Sequence, residues 1–202
     1  MGNTVGSRAI LNLTDRQRAI IIGKILGDGC LEKNGNYTRL KIDQGQKQKN
    51  YVFWLYEELS SLVPSKPYKI EVYSRGKRDV HWRFATYSNP AFDSFRLKFY
   101  GKRKSVPANI NQLLNEPMSL AVWYMDDGYK RTDRSGLYLC TSAFSKKDNH
   151  LLQVCLERNF GLSTNIHYAG GYPRIHLPAK YAGKFCQIIK PFVLESLSYK
   201  LL

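Results

Sequence analysis

The sequence predicts an α+β protein built from two copies of one αββαββα unit, related by a pseudo-two-fold axis and each carrying antiparallel strands. Three observations predict it. Helical periodicity and strand-like alternation follow one another in the same order twice. Equivalent residues recur at a near-constant offset: Asp28 and Asp127 lie 99 apart, as do Tyr37 and Gly136; Lys47 and Ser145 lie 98 apart, and Pro90 and Pro178 lie 88 apart after shorter loops. One helix in each copy also ends in Asp-Gly. The expected halves are 1–100 and 117–202, joined by a linker over 101–116.

The elements follow from local chemistry. Thr14 with Gln17 makes a capping box ahead of Ala19-Ile20-Ile21-Ile22, so a helix is expected over 15–27, stopped by Gly29. Residues 37–43 alternate, with Thr38, Leu40 and Ile42 on one face and Tyr37, Arg39, Lys41 and Asp43 on the other, which predicts a half-buried strand. Val52, Leu55, Leu59 and Leu62 keep helical register over 49–62. Strands over 68–73 and 80–86 are expected to turn around Arg75-Gly76-Lys77, and Asn89-Pro90 opens a helix carrying Phe92, Phe95 and Phe99. In the second copy Pro117 opens a helix that runs through Asp127 and ends at Gly128. A strand over 137–142 precedes a helix capped by Ser145 with Asp148 and closed by Gly161. Strands over 164–168 and 172–177 form a hairpin around Gly170-Gly171, and Pro178-Ala179 starts the last helix.

Composition narrows the function. The chain has 202 residues with 43% hydrophobic and 13% aromatic side chains, enough to bury a core and to exclude disorder. Its best apolar stretch, 19–26, is broken by Gly23 and Lys24 and falls far short of the ~20 residues that span a bilayer. No charged region leads into an apolar one at the N-terminus, and Gly6 stands where myristoylation wants Ser or Thr, so no membrane partner is expected. Cys30, Cys140, Cys155 and Cys186 form no C-x-x-C pair, and His81, His150, His167 and His176 show no ligand spacing. An intracellular, reducing compartment without a zinc site is the simpler expectation. The 31 Lys and Arg outnumber the 16 Asp and Glu to give a charge of +15, which points to a polyanion and above all to nucleic acid.

Two segments carry the chemistry: Ile21-Ile22-Gly23-Lys24-Ile25-Leu26-Gly27-Asp28-Gly29 and Leu120-Ala121-Val122-Trp123-Tyr124-Met125-Asp126-Asp127-Gly128. If the two helices pack, Asp28 and Asp127 meet at one end, where like charges and negative helix termini call for a cation. Oxygen ligands favour Mg²⁺ (or Mn²⁺). Gly23 and Gly27, four apart, let the first helix approach its partner closely.

These segments resemble, without gaps, the nine-residue motif of the LAGLIDADG homing endonuclease family, in the type that carries both motifs on one chain. The likeness extends through residues 117–130, Lys104-Ser105-Val106-Pro107 and Tyr199-Lys200-Leu201. Leu26 and Met125 replace the motif's first acid, and Val122 and Asp126 stand where small residues are usual, so the helix interface is not expected to be symmetric. The resemblance implies a monomeric homing endonuclease that makes a double-strand break with 3′ overhangs in a long DNA site by metal-dependent hydrolysis. It places the metal-binding acids on Asp28 and Asp127 and implies that Lys104 and Lys200 are basic residues flanking the active site. Backbone carbonyls of Gly27 and Asp126 are candidate further ligands. Gln44, Gln46 and Ser142 are candidates for ordering water. The outward strand faces are expected to read bases through Tyr37, Arg39, Lys41, Lys69, Glu71, Tyr73, His81, Arg83, Tyr138, His167, Arg174 and His176. Arg78, Lys102, Arg103, Lys130, Arg131 and Arg134, expected in loops, suit phosphate contacts. The rival on the same fold is an RNA maturase acting on a host intron, or a DNA-binding protein that does not cleave. Tyr124-Met125-Asp126-Asp127 also spells a reverse-transcriptase motif, but that motif sits in a strand hairpin and here an apolar helix leads into it. The expected compartment is that of the target DNA, an organelle or a bacterial cytoplasm.

Overall fold

A computed structural model of the chain describes residues 9–74, 76–131 and 136–202; Gly6, Arg75 and Arg134 lie outside the described residues. The chain divides into two compact units, one of Met1–Thr14 with Cys30–Leu97 and one of Asp15–Gly29 with Lys98–Leu202. The first helix, α1 (Asp15–Leu26), therefore belongs to the second unit.

In the first unit β1 (Cys30–Asn34), β2 (Tyr37–Gly45), β3 (Tyr68–Ser74) and β4 (Lys77–Ala85) form an antiparallel sheet in the order β1-β2-β4-β3. The expected alternation holds in β2: Thr38, Leu40 and Ile42 are buried while Tyr37, Arg39, Lys41 and Asp43 stay half-exposed. The helix α2 (Lys49–Glu58) contributes Tyr51, Val52 and Leu55 to the core, and its Tyr56 meets Phe84 of β4 edge-on, ring centroids 6.1 Å apart. This helix is shorter than the apolar register predicts. Leu59 leaves helical geometry, a 3₁₀ turn covers Ser60–Leu62, and Val63 is extended ahead of Pro64, as the residue before a proline prefers. The helix α3 (Pro90–Phe99) starts as expected at Asn89, whose side-chain oxygen accepts the N–H of Ala91 at 3.0 Å. The same Asn89 pins the preceding segment, accepting from Leu11 N–H and donating to the Ala9 carbonyl.

The second unit adds α4 (Ile110–Leu113), α5 (Pro117–Asp127), β5 (Gly128–Lys130), β6 (Leu137–Cys140), α6 (Lys146–Phe160), β7 (Asn165–Ala169), β8 (Tyr172–Leu177) and α7 (Ala179–Ile189). Its sheet runs β5-β6-β8-β7, the same strand order as the first, so the duplication read from the residue offsets is present in the topology. Ser145 and Asp148 form the predicted capping box, and Gly161 closes α6 in the left-handed conformation at φ +62°. Gly170 and Gly171 both have positive φ, as a two-residue hairpin turn of type I′ requires. The strand β6 stops two residues early because Thr141 turns its hydroxyl inward to the Asn149 side chain, 2.5 Å away. Arg78 and Lys130, expected in loops, sit in β4 and β5 instead.

Candidate active site at the ends of two packed helices

The helices α1 and α5 pack against each other inside the second unit, and both are buried along most of their length. Such burial follows from apolar runs that cover every face over 19–22 in α1 and 120–125 in α5. The contact is close because of two glycines. A Cβ at Gly23 would lie 2.5 Å from the Ser119 carbonyl oxygen, and one at Gly27 would collide with the Asp126 carboxylate.

That closeness buries charge. Lys24 Nζ donates to Asp126 Oδ1 at 2.7 Å, and neither side chain has any exposed surface. Asp126 Oδ2 accepts the backbone N–H of Asp28 at 3.0 Å. One carboxylate on α5 thus neutralises a lysine of α1 and also fixes the residue that follows α1. Sequence reasoning saw the Asp126 side chain as a break in interface symmetry and its carbonyl as a candidate ligand, and missed the partner of its carboxylate. The available signal was a lysine inside an apolar helix with an acid in the facing motif.

Asp127, at the last position of α5, is pushed up to about 7 by burial and by the negative charges of Asp28 and Asp126, against the pull of Lys104 and Lys24. Burial likewise raises Asp126, opposed by Lys24. Three carboxylates, Asp28, Asp126 and Asp127, thus gather at this end. Two lysines border it. Lys104 Nζ donates to the Gly27 carbonyl at 2.7 Å, at the end of α1. Lys200 Nζ donates to the carbonyls of Met125 at 2.6 Å and Asp126 at 3.2 Å, at the end of α5. Each lysine serves the orphaned carbonyls of one helix, where a cation is favoured. Tyr124 holds the second of them in place, its hydroxyl donating to the Lys200 carbonyl at 2.7 Å. Burial lowers the affinity of both lysines for their protons, while Asp28, Asp126 and Asp127 oppose that shift.

The sheet candidates divide by face. In the second sheet Tyr138, His167, Arg174 and His176 share one face with Tyr129, since Tyr138 pairs with both Tyr129 and His176, and His167 with Arg174. They form one cluster: the Tyr138 hydroxyl lies 2.9 Å from His167 Nδ1, His167 stacks on His176 at 4.3 Å, and the Arg174 guanidinium lies 4.4 Å above the Tyr138 ring. Arg131 also lies over Tyr138, at 5.8 Å. His176 Nδ1 is buried without a hydrogen-bond partner, and burial together with His167 and the two arginines lowers its pKa.

In the first sheet Tyr37, Arg39, Lys41, His81 and Arg83 share a face, as the pairing of Asp43 with Arg83 requires. Lys69, Glu71 and Tyr73 do not join them. They pair with Trp82, Val80 and Arg78 on the opposite face, and Tyr68, Ile70 and Val72 take the places beside the cations. The expectation of a single outward face is corrected here, because β3 carries its apolar residues on the face where β2 carries its charges, and a shift of one residue exchanges the faces of a strand. Gln46 accepts the indole N–H of Trp82 at 2.8 Å, and Ser142 Oγ lies 3.7 Å from Cys140 Sγ.

The model of the LAGLIDADG DNA endonuclease family matches residues 18–185. The chain is 29% identical to a probable intron-encoded endonuclease 1 of Wickerhamomyces canadensis, over 94% of this chain and 85% of the relative. It is 28% identical to the cytochrome b mRNA maturase bI2 of Saccharomyces cerevisiae, over 91% of this chain and 46% of that protein. Its fold matches the homing endonuclease I-WcaI bound to its DNA recognition sequence, with TM-score 0.88, 27% identity, and coverage of 95% of this chain and 88% of that one.

Proposed function

Since this chain belongs to the LAGLIDADG DNA endonuclease family, we propose that it is an intron-encoded homing endonuclease that cuts both strands of a long DNA site, leaving 3′ overhangs, by divalent-metal-dependent phosphodiester hydrolysis. The observation that carries this reading is the acidic end of the α1–α5 pair, where burial and the charges of Asp28 and Asp126 hold Asp127 up to about 7 against Lys104 and Lys24. The donor set fits a hard divalent cation: carboxylates of Asp28 and Asp127 would hold Mg²⁺ or Mn²⁺, with the carbonyls of Gly27 and Asp126 as further oxygen donors. A cation bound there supplies Lewis acidity and a nucleophilic water at neutral pH.

The chain's own residues do the rest. Water adds to the scissile phosphorus, the bond to the 3′ oxygen breaks, and a proton passes to that leaving oxygen, so that a 3′ hydroxyl and a 5′ phosphate remain. Negative charge grows on the phosphate oxygens as this happens. Lys104 and Lys200, anchored on helix-end carbonyls, are positioned to stabilise it without reorganising. The basic sheet faces would lie along the major groove and set the register of the site.

The test is a Mg²⁺-dependent cleavage selection with a plasmid library of uninterrupted ribosomal RNA gene segments. One linearised product is expected, absent with EDTA and absent with the Asp28→Asn/Asp127→Asn protein. Full cutting by that double variant would refute the metal assignment. The similarity to a maturase favours one second reading, in which the chain binds its host intron RNA. Tight, salt-sensitive binding to intron RNA with no DNA cleavage under any divalent ion would select it.

A further inference from the structure

On one face of the first sheet Arg39, Lys41 and Arg83 are not free charges. Glu32 of β1 accepts on Oε1 from Arg39 Nε at 2.8 Å and Nη2 at 2.6 Å, and on Oε2 from Lys41 Nζ at 2.7 Å. One strand further, Asp43 of β2 accepts on Oδ1 from His81 Nδ1 at 2.7 Å and on Oδ2 from Arg83, whose Nε lies 2.9 Å away. Two carboxylates thus hold four of the residues on this face. Burial opposes the ionisation of both acids, but Lys41 and Arg39 outweigh it at Glu32, as do Arg83 and His81 at Asp43, and both pKa values fall below the ordinary carboxylate range. Glu32, Arg39, Lys41, Tyr68 and Arg83 border one open concavity of about 430 Å³.

The second sheet is built otherwise. Its strands contain no Asp or Glu, and Arg174 rests on the Tyr138 ring and donates to the Tyr129 hydroxyl at 2.8 Å. Among the described residues no carboxylate pairs with Arg174.

We propose that Glu32 and Asp43 determine specificity in the first sheet by cancelling the charge of Arg39, Lys41 and Arg83 toward phosphate and orienting their remaining N–H groups as donors for base edges. The proposal rests on the DNA-binding reading above. A cation with a carboxylate on one side gains little from a phosphate, whose attraction is non-directional and independent of sequence. A guanidinium clamped through Nε and one terminal nitrogen still presents its other N–H groups, in a fixed direction, to purine acceptors in the major groove. The carboxylates would thereby trade non-specific affinity for discrimination.

The experiment compares wild type, Glu32→Gln, Asp43→Asn and the double variant with Glu57→Gln, which changes the charge by the same one unit as either single variant at an exposed position on α2. Affinity for a random-sequence 30-base-pair duplex is measured across a KCl series without divalent ions. Each freed cation should steepen the slope of log K against log salt by about 0.9, so the double variant should steepen it by about 2–3 and bind random DNA at least about tenfold more tightly at low salt. With the target duplex from the cleavage selection, its ratio of target to random affinity should fall by about tenfold or more. The Glu57→Gln control should change neither quantity beyond its single charge. Variants that behave like this control would overturn the proposal, as would loss of target affinity at one base pair alone, which would make the carboxylate itself the base reader. Salt-independent binding of wild type to every duplex would instead refute the DNA-binding reading beneath it.

Discussion

Replacing Lys24 by Met removes a charge from the middle of the α1–α5 interface while keeping the length of the side chain. The Asp126 carboxylate would remain, fully buried, with only the Asp28 N–H of its two recorded partners. Breaking a buried pair in this way typically costs about 3–5 kcal/mol, because the remaining charge keeps its desolvation penalty without its counter-charge. For a domain of this size about 2–4 °C of melting temperature corresponds to each kcal/mol, so Lys24→Met should melt about 6–20 °C below wild type. The pair variant Lys24→Leu/Asp126→Ala, which restores the residues that the nine-letter motif carries at these positions, removes both charges together. It loses the acceptor for the Asp28 N–H, worth about 1–3 kcal/mol, but also sheds the desolvation of two ions, so it should lie within about 2 kcal/mol of wild type. Thermal and urea unfolding in EDTA, followed by circular dichroism and by tryptophan fluorescence, measure all three proteins. A Lys24→Met variant as stable as wild type would refute the buried pairing. A double variant as unstable as the single one would show that the interface depends on packing by these side chains rather than on their charges.

Further outcomes follow from the same end of the helices. Asp127 has a folded pKa of about 7, above its ordinary value near 4, so the native state binds the extra proton in that window and metal-free stability should fall as pH rises from about 4 to 7, then level off. Asp127→Asn should therefore stabilise the metal-free protein more at pH 8 than at pH 5, as thermal melts in EDTA would reveal; equal effects at both would contradict the shift. Binding of Mg²⁺ at pH 6.5 should release protons, seen as a buffer-dependent calorimetric heat. Gly27→Ala places a methyl against the Asp126 carboxylate and should lower stability by about 1–3 kcal/mol; a neutral result would mean that the helices can separate without loss. Lys200→Met should slow cleavage by about tenfold or more while changing DNA affinity less, and equal losses in both would assign it to ground-state binding.

What was legible in the sequence has a physical pattern. The paired Asp-Gly helix ends could be read because a stop signal and an acid are local features, and their recurrence 99 residues apart made coincidence improbable. The caps at Asn89 and Ser145 and the turn at Gly170-Gly171 were legible for the same reason: each depends on backbone geometry within four residues. The pairing of Lys24 with Asp126 was not, because its partners stand 102 positions apart and meet only once the glycines let the helices close. The face of β3 was misjudged because alternation locates a core only where one side of the strand is covered, and Ile70 and Val72 here share the face of the cations. The duplicated fold also hides an asymmetry in chemistry. The first copy holds its cations with carboxylates and the second with aromatic rings, while the two helix ends remain matched, each with its aspartate and its lysine. Under the proposed function, the acidic helix ends would serve one reaction and stay alike, whereas the two sheets would be free to diverge.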